Sequence, residues 1–189
     1  PLPYTTDLES GKPEQKIKNM EFGGRASVNL SGIDFSVSAL RTWNKQPALC
    51  PAMSGDGRTF HINGQYRRMT MLGADCSLPV GQFVLRAEVA EYIGEAQGSG
   101  LGQNAVRRNT LNALAGVDWY PGNDWNISVQ YCHKYTSGNL ATLSVYRNAG
   151  LATARLSKEL LHNTLKLSTF AYIDVASGGI FNRLSASYS

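Results

Sequence analysis

Apolar and polar residues alternate along most of the chain. From residue 20 the even positions are apolar and the odd ones polar. After Ser31 and Gly32 the odd positions become apolar as far as Trp43, with Leu40 and Arg41 as exceptions. A period of two on both sides of a short turn signal is typical of a β-hairpin. The same alternation predicts strands over residues 59–78, 83–93, 111–120 and 125–134, and weaker ones over 150–160, 164–175 and 179–189. The sequence therefore predicts an all-β, antiparallel meander.

The predicted connections alternate in length. Short turns are predicted at residues 31–32, 79–82, 121–124 and 161–163, and long loops at residues 45–58, 95–109 and 136–149. Outer-membrane barrels have short turns at one end, long loops at the other and spans of about 10 residues. We therefore expect an up-and-down transmembrane β-barrel over residues 20–189, preceded by a polar loop or linker segment over residues 1–19.

Large aromatic residues fall near the ends of the predicted strands, among the apolar positions. Barrels place such rings in two girdles, where the apolar band meets water. The predicted girdle residues are Phe83, Trp119 and Trp125 beside short turns, and Trp43, Phe60 and Tyr135 beside long loops. The alternative is that these rings cap the core of a water-soluble β-protein.

Composition excludes two other classes of protein. The chain has 189 residues, of which 42% are hydrophobic and 17% charged, and no uninterrupted apolar run reaches the roughly 18 residues of a transmembrane helix. The 18 basic and 14 acidic residues are scattered, giving a net charge of +4 without a basic cluster, so no nucleic-acid partner is expected. The three cysteines are far apart and predict neither a disulfide framework nor a zinc site.

The polar positions carry charges of both signs. In a barrel they line the lumen, where they set a transverse field and the selectivity for diffusing solutes; in a soluble protein they are an ordinary solvated surface. Acidic and basic residues are equally numerous among them, so no strong ion preference is expected. The predicted pore-lining residues are Glu21, Arg25, Asp34, Arg67, Asp75, Arg86, Glu88, Asp118, Lys134, Lys166, Asp174 and Arg183.

No catalytic or metal-binding pattern stands out. Barrel phospholipases pair a histidine with a serine two residues later, and none of the histidines here has a serine at that spacing. The glycine-rich stretch from Gly98 to Gly102 follows no buried parallel strand and predicts a flexible loop rather than a phosphate cradle. Asp56 lacks the repeated acidic spacing of a calcium loop. We expect no enzyme activity, no metal and no cofactor.

Two stretches resemble a known family: Glu21 to Arg25 with the hairpin that continues to Trp43, and Tyr66 to Asp75 continuing through Leu85 to Glu88. They are similar to an uncharacterised family of porin-like outer-membrane β-barrel proteins of Gram-negative bacteria, most clearly over residues 20–135. The resemblance implies a location in the bacterial outer membrane and supplies no established functional residues. Its members are longer, and the roughly nine strands predicted here cannot close a single-chain bacterial barrel of the usual even strand number. We therefore expect the chain to be a segment of a larger barrel.

The expected function is passive or weakly selective passage of small solutes across an outer membrane. The expected partners are outer-membrane lipid, small solutes and either further copies of the chain or another envelope protein. Two alternatives stay open. One is a soluble β-sandwich or adhesin-type binding module, and the other is a plugged structural barrel within an envelope complex.

Overall fold

The computed structural model describes residues 3–9, 11–143 and 145–188, and these form two β-sheets. In chain order the strands are β1 (Tyr4–Asp7), β2 (Phe22–Leu30), β3 (Ile33–Trp43), β4 (Ala48–Met53), β5 (Phe60–Gln65), β6 (Arg68–Val80), β7 (Phe83–Gln97), β8 (Val106–Gly122), β9 (Trp125–Thr136), β10 (Asn148–Leu160), β11 (Leu165–Asp174) and β12 (Ile180–Tyr188). A short 3₁₀ turn, Ile17–Asn19, precedes β2. Among the described residues no helix has the length and apolar character of a membrane span.

The larger sheet has nine strands in the order β12-β11-β10-β9-β8-β7-β6-β3-β2. Every neighbouring pair is antiparallel. Within the described residues the edge strands β2 and β12 do not pair with each other, so the sheet is open. The all-β, antiparallel meander predicted from the alternation is confirmed.

Tight turns join the strands at one end of this sheet. They comprise residues 31–32, 81–82, 123–124 and 161–164. In the turn between β8 and β9, Asn123 and Asp124 both have positive φ, of 51° and 60°. Two such residues match the twist of a hairpin, and Asn and Asp tolerate this backbone region better than most side chains. We call this edge the short-turn end, and the opposite edge the long-loop end.

The smaller sheet has three strands, in the order β1-β5-β4. It corrects the prediction of one strand over residues 59–78, because β5 and β6 belong to different sheets and the chain turns between them at Tyr66 and Arg67. Alternation continues across this corner, so the period alone does not reveal it. β1 falls within the predicted polar segment 1–19, and β4 within the predicted loop 45–58.

Burial in the larger sheet is the reverse of burial in a water-soluble protein. Its apolar face is largely exposed: Val28 is 50% and Val129 48% accessible. Most of its buried residues are polar side chains on the other face, among them Thr42, Thr110 and Thr136. The apolar face therefore has no core to cover it among the described residues.

Candidate functional site

The polar face of the larger sheet gathers most of the predicted pore-lining residues. Residues directly opposite each other on neighbouring strands share a face, and Asp75 lies opposite Glu88 while Asn112 lies opposite Lys134. Continued across all strands, this register puts on one face Arg25, Asp34, Asp75, Arg86, Glu88, Asp118, Lys134, Lys166, Asp174 and Arg183. Glu21 and Arg67 lie just outside the strands.

Ion pairs connect neighbouring strands across this face. The Arg25 guanidinium lies 3.0 Å from an Asp75 carboxylate oxygen, and Ser36 donates a hydrogen bond to the same carboxylate. The Arg86 guanidinium lies 2.6 Å from Asp118, whose side chain is only 8% exposed. These pairs neutralise much of the charge that the sequence places on β2, β6, β7 and β8.

Two further pairs use carboxylates that the sequence analysis missed. Lys134 Nζ lies 3.4 Å from Glu95, and Lys166 Nζ lies 2.6 Å from Glu159. Glu95 follows an irregularity in the pairing of β7 with β8, where Gly94 has a φ of 77°. A bulge of this kind reverses the alternation, so Glu95 reaches the polar face from an odd position.

Glu21 sits beside the long-loop end, just before β2. Its carboxylate accepts a 2.7 Å hydrogen bond from Lys45 Nζ and a 3.3 Å hydrogen bond from the Trp43 backbone N–H. The hydrogen bond from Lys45 is the largest cause that lowers the pKa of Glu21. Arg67 donates a long, 3.4 Å hydrogen bond to Gln65 at the corner between the two sheets.

The smaller sheet stands over the long-loop end of the polar face. Its strand β4 contacts β7, and the Pro51 carbonyl of β4 accepts a 2.8 Å hydrogen bond from the Gly102 N–H in the loop after β7. Asn44, which follows β3, accepts a 3.2 Å hydrogen bond from the Ala96 N–H of β7. A cavity of about 810 Å³ lies between this sheet and the polar face. Its lining includes Lys134, Glu95, Asn112 and Tyr92 of the larger sheet, together with residues of β4.

A second cavity, of about 660 Å³, opens near the short-turn end of the polar face. The charged residues in its lining are Arg86, Asp118, Arg155 and Arg183, and Phe170 lies among them. Arg155 is the one charged residue of this lining that the alternation did not predict. It lies on β10, where Leu151 on the polar face and Lys158 on the apolar face interrupt the alternation.

The predicted girdle residues lie on the apolar face, with one exception. At the short-turn end the Phe83 and Trp119 rings stack with centroids 5.8 Å apart, and Lys158 Nζ lies 4.6 Å from the Trp125 ring. The same face carries Trp43 and Tyr135 near the long-loop end. The exception is Phe60, which was predicted to belong to the girdle beside the long loops. It begins β5 of the smaller sheet, so it does not share a face with the other rings.

Comparison with known proteins gives a fold and no family. No protein-family model and no curated protein matches the sequence. Among solved structures, the chain is similar to the outer membrane channel DcaP of Acinetobacter baumannii, with a TM-score of 0.59 and 9% sequence identity. The likeness covers 89% of this chain and 51% of the channel. The chain shares the fold of half an outer-membrane channel.

Proposed function

We propose that the larger sheet is part of the wall of an outer-membrane β-barrel through which small polar solutes pass. One observation carries the proposal: the sheet exposes an apolar face while its ion pairs and buried polar side chains lie on the other face. A β-structure in lipid has this distribution, with apolar side chains outward and polar ones toward the lumen. The similarity to an outer-membrane channel supports the same arrangement.

The exposed apolar face argues against the soluble β-sandwich. In a sandwich the apolar face of each sheet packs on a second sheet about 10 Å away. The smaller sheet lies instead over the polar face, where β4 contacts β7 and the loop that follows it. Lipid is therefore the proposed partner of the apolar face, and small solutes that of the polar face.

The position of the smaller sheet favours a second candidate, a plugged structural barrel. Some outer-membrane barrels are closed inside by loops or other elements, and here β4 and β5 cover the long-loop end of the polar face. The two candidates predict different conductance. An open channel passes ions, and a plugged barrel inserts into the membrane without doing so.

The test is conductance of the full-length protein. The protein is refolded in detergent, its folding is checked by the heat-modifiable mobility of a closed barrel, and it is then added to planar bilayers in potassium chloride. Discrete conductance steps support the channel. Folded protein that inserts without conductance supports the plugged barrel, and protein that stays monomeric and folded in water without detergent contradicts both.

A further inference from the structure

The cavity near the short-turn end holds two arginines that form no ion pair with a carboxylate of the described residues. Three arginines and one carboxylate, Asp118, contribute to its lining. Asp118 already pairs with Arg86 at 2.6 Å. Arg155 and Arg183 form no ion pair and no side-chain hydrogen bond with any residue that the structure describes. The cavity therefore has a local excess of positive charge and unused N–H donors.

An aromatic ring separates these two arginines. Phe170 on β11 lies directly opposite Arg155 on β10 and directly opposite Arg183 on β12. With strands about 4.8 Å apart, the two arginine backbones are about 10 Å apart on the same face of the sheet. Phe170 is 37% exposed, which leaves part of its ring open to the cavity between the two guanidinium groups.

The chemistry of these groups points to one class of ligand. A guanidinium presents parallel N–H donors that match the two oxygens of a carboxylate. An exposed ring adds apolar surface, which inorganic anions do not use and an organic anion does. We propose that Arg155, Phe170 and Arg183 form a binding site for small organic carboxylates, with the carboxylate on the arginines and the apolar part on the ring.

The larger cavity at the long-loop end lacks this excess of charge. Its lysines are already paired, Lys134 with Glu95 and Lys45 with Glu21. Of the two cavities, we therefore assign anion binding to the one near the short-turn end. The assignment rests on the proposed function, since solutes meet this cavity when the polar face lines a channel.

The experiment measures binding by isothermal titration calorimetry on the full-length protein in detergent, with pentanoate and acetate as probes. Replacing both arginines, by Arg155→Gln with Arg183→Gln, is expected to weaken binding of both probes by about tenfold or more. Phe170→Ser is expected to weaken pentanoate and to leave acetate unchanged, because acetate has almost no apolar part.

The matched control removes two other cations from the same face. Arg25→Gln with Lys166→Gln lowers the net charge equally, yet both residues already pair with carboxylates. This variant is expected to keep the wild-type affinity. Absence of pentanoate binding by the wild type, or an equal loss in the control, overturns the site. An equal effect of Phe170→Ser on both probes overturns the role of the ring.

Conductance of the same preparations separates this proposal from the proposed function. If the protein binds pentanoate through Arg155 and Arg183 but passes no current, the proposed binding site is supported and the open channel is refuted. If the protein conducts ions but binds neither pentanoate nor acetate, the proposed binding site is refuted and the channel function is supported.

Discussion

An arginine introduced in the middle of the apolar face is the sharpest test of the membrane orientation. Ala115 lies on β8, opposite Ala87 and Tyr131, and it is exposed in the structure. It stands midway along β8 between Trp119 of one girdle and Leu111, which lies opposite Tyr135 of the other. On a surface facing water, a substitution at an exposed position usually changes stability by less than about 0.5 kcal/mol.

Lipid makes the same substitution costly. An arginine at the bilayer midplane of a barrel costs about 2 to 4 kcal/mol, and about 0 to 1 kcal/mol near the interface. Ala115→Arg should therefore lower the folding equilibrium constant in vesicles by about 30- to 700-fold. Val80→Arg, beside a short turn on the same face, should cost much less.

The neighbouring residue supplies the matched control. Leu114 follows the same strand but faces the polar side, directly opposite Glu88. Leu114→Arg should be tolerated, because the new guanidinium meets water and a carboxylate. The assay is urea unfolding of the full-length protein in phospholipid vesicles, followed by tryptophan fluorescence. If Ala115→Arg and Leu114→Arg fall within about 0.5 kcal/mol of each other, the orientation argued here is wrong.

Three further outcomes are expected. Gly98→Val should displace the smaller sheet and raise single-channel conductance, because a Cβ at this position would lie 2.5 Å from a backbone carbonyl oxygen of β4; unchanged conductance would show that this sheet does not limit the path. Asp118→Asn should destabilise the folded protein by roughly 1 to 3 kcal/mol in urea titrations in detergent, because it removes the carboxylate that pairs with Arg86; stability equal to wild type would contradict this. The ion pair of Glu21 with Lys45 should be formed at neutral pH. It should be lost only when the pH falls below the ordinary Glu pKa of 4.5 and passes the lowered pKa of Glu21. Lys45→Met should raise the pKa of Glu21 in a carbon-13 NMR titration, and an unchanged titration would contradict the pairing.

The nine-stranded sheet was predictable because most of its paired strands are close together in the sequence. Apart from β3 and β6, every pair of neighbouring strands in it is consecutive in the chain. Alternation fixes which residues share a face, and turn signals such as Ser31 with Gly32 fix the register. The place of β1 in the smaller sheet was not predictable in this way, because β1 pairs with β5 through residues as distant as Thr5 and His61. No local pattern links two segments so far apart.

The polar face was predicted where the alternation is regular and missed where it is interrupted. The bulge at Gly94 shifts Glu95 onto this face, and the irregular pattern of β10 concealed Arg155 and Glu159. Pairing also changed the interpretation of the charges. Equal numbers of acids and bases predicted no strong ion preference, but ion pairs form between particular neighbours and leave Arg155 and Arg183 without a carboxylate partner among the described residues. Such local imbalance depends on three-dimensional distances, which a count of residues does not contain.

The parallel pairing of β1 with β5 has a consequence for the order of folding. Most strands of the larger sheet pair with a neighbour in the chain, so this sheet can grow one hairpin at a time. In the smaller sheet β4 and β5 form such a local hairpin, but β1 needs a contact between residues 56 positions apart, as between Thr5 and His61. Contacts at such separation form slowly, because the entropy of closing a long loop is lost before the contact stabilises it. We therefore expect β1 to join β5 in a late, separate kinetic step, after the local hairpin of β4 with β5 has formed.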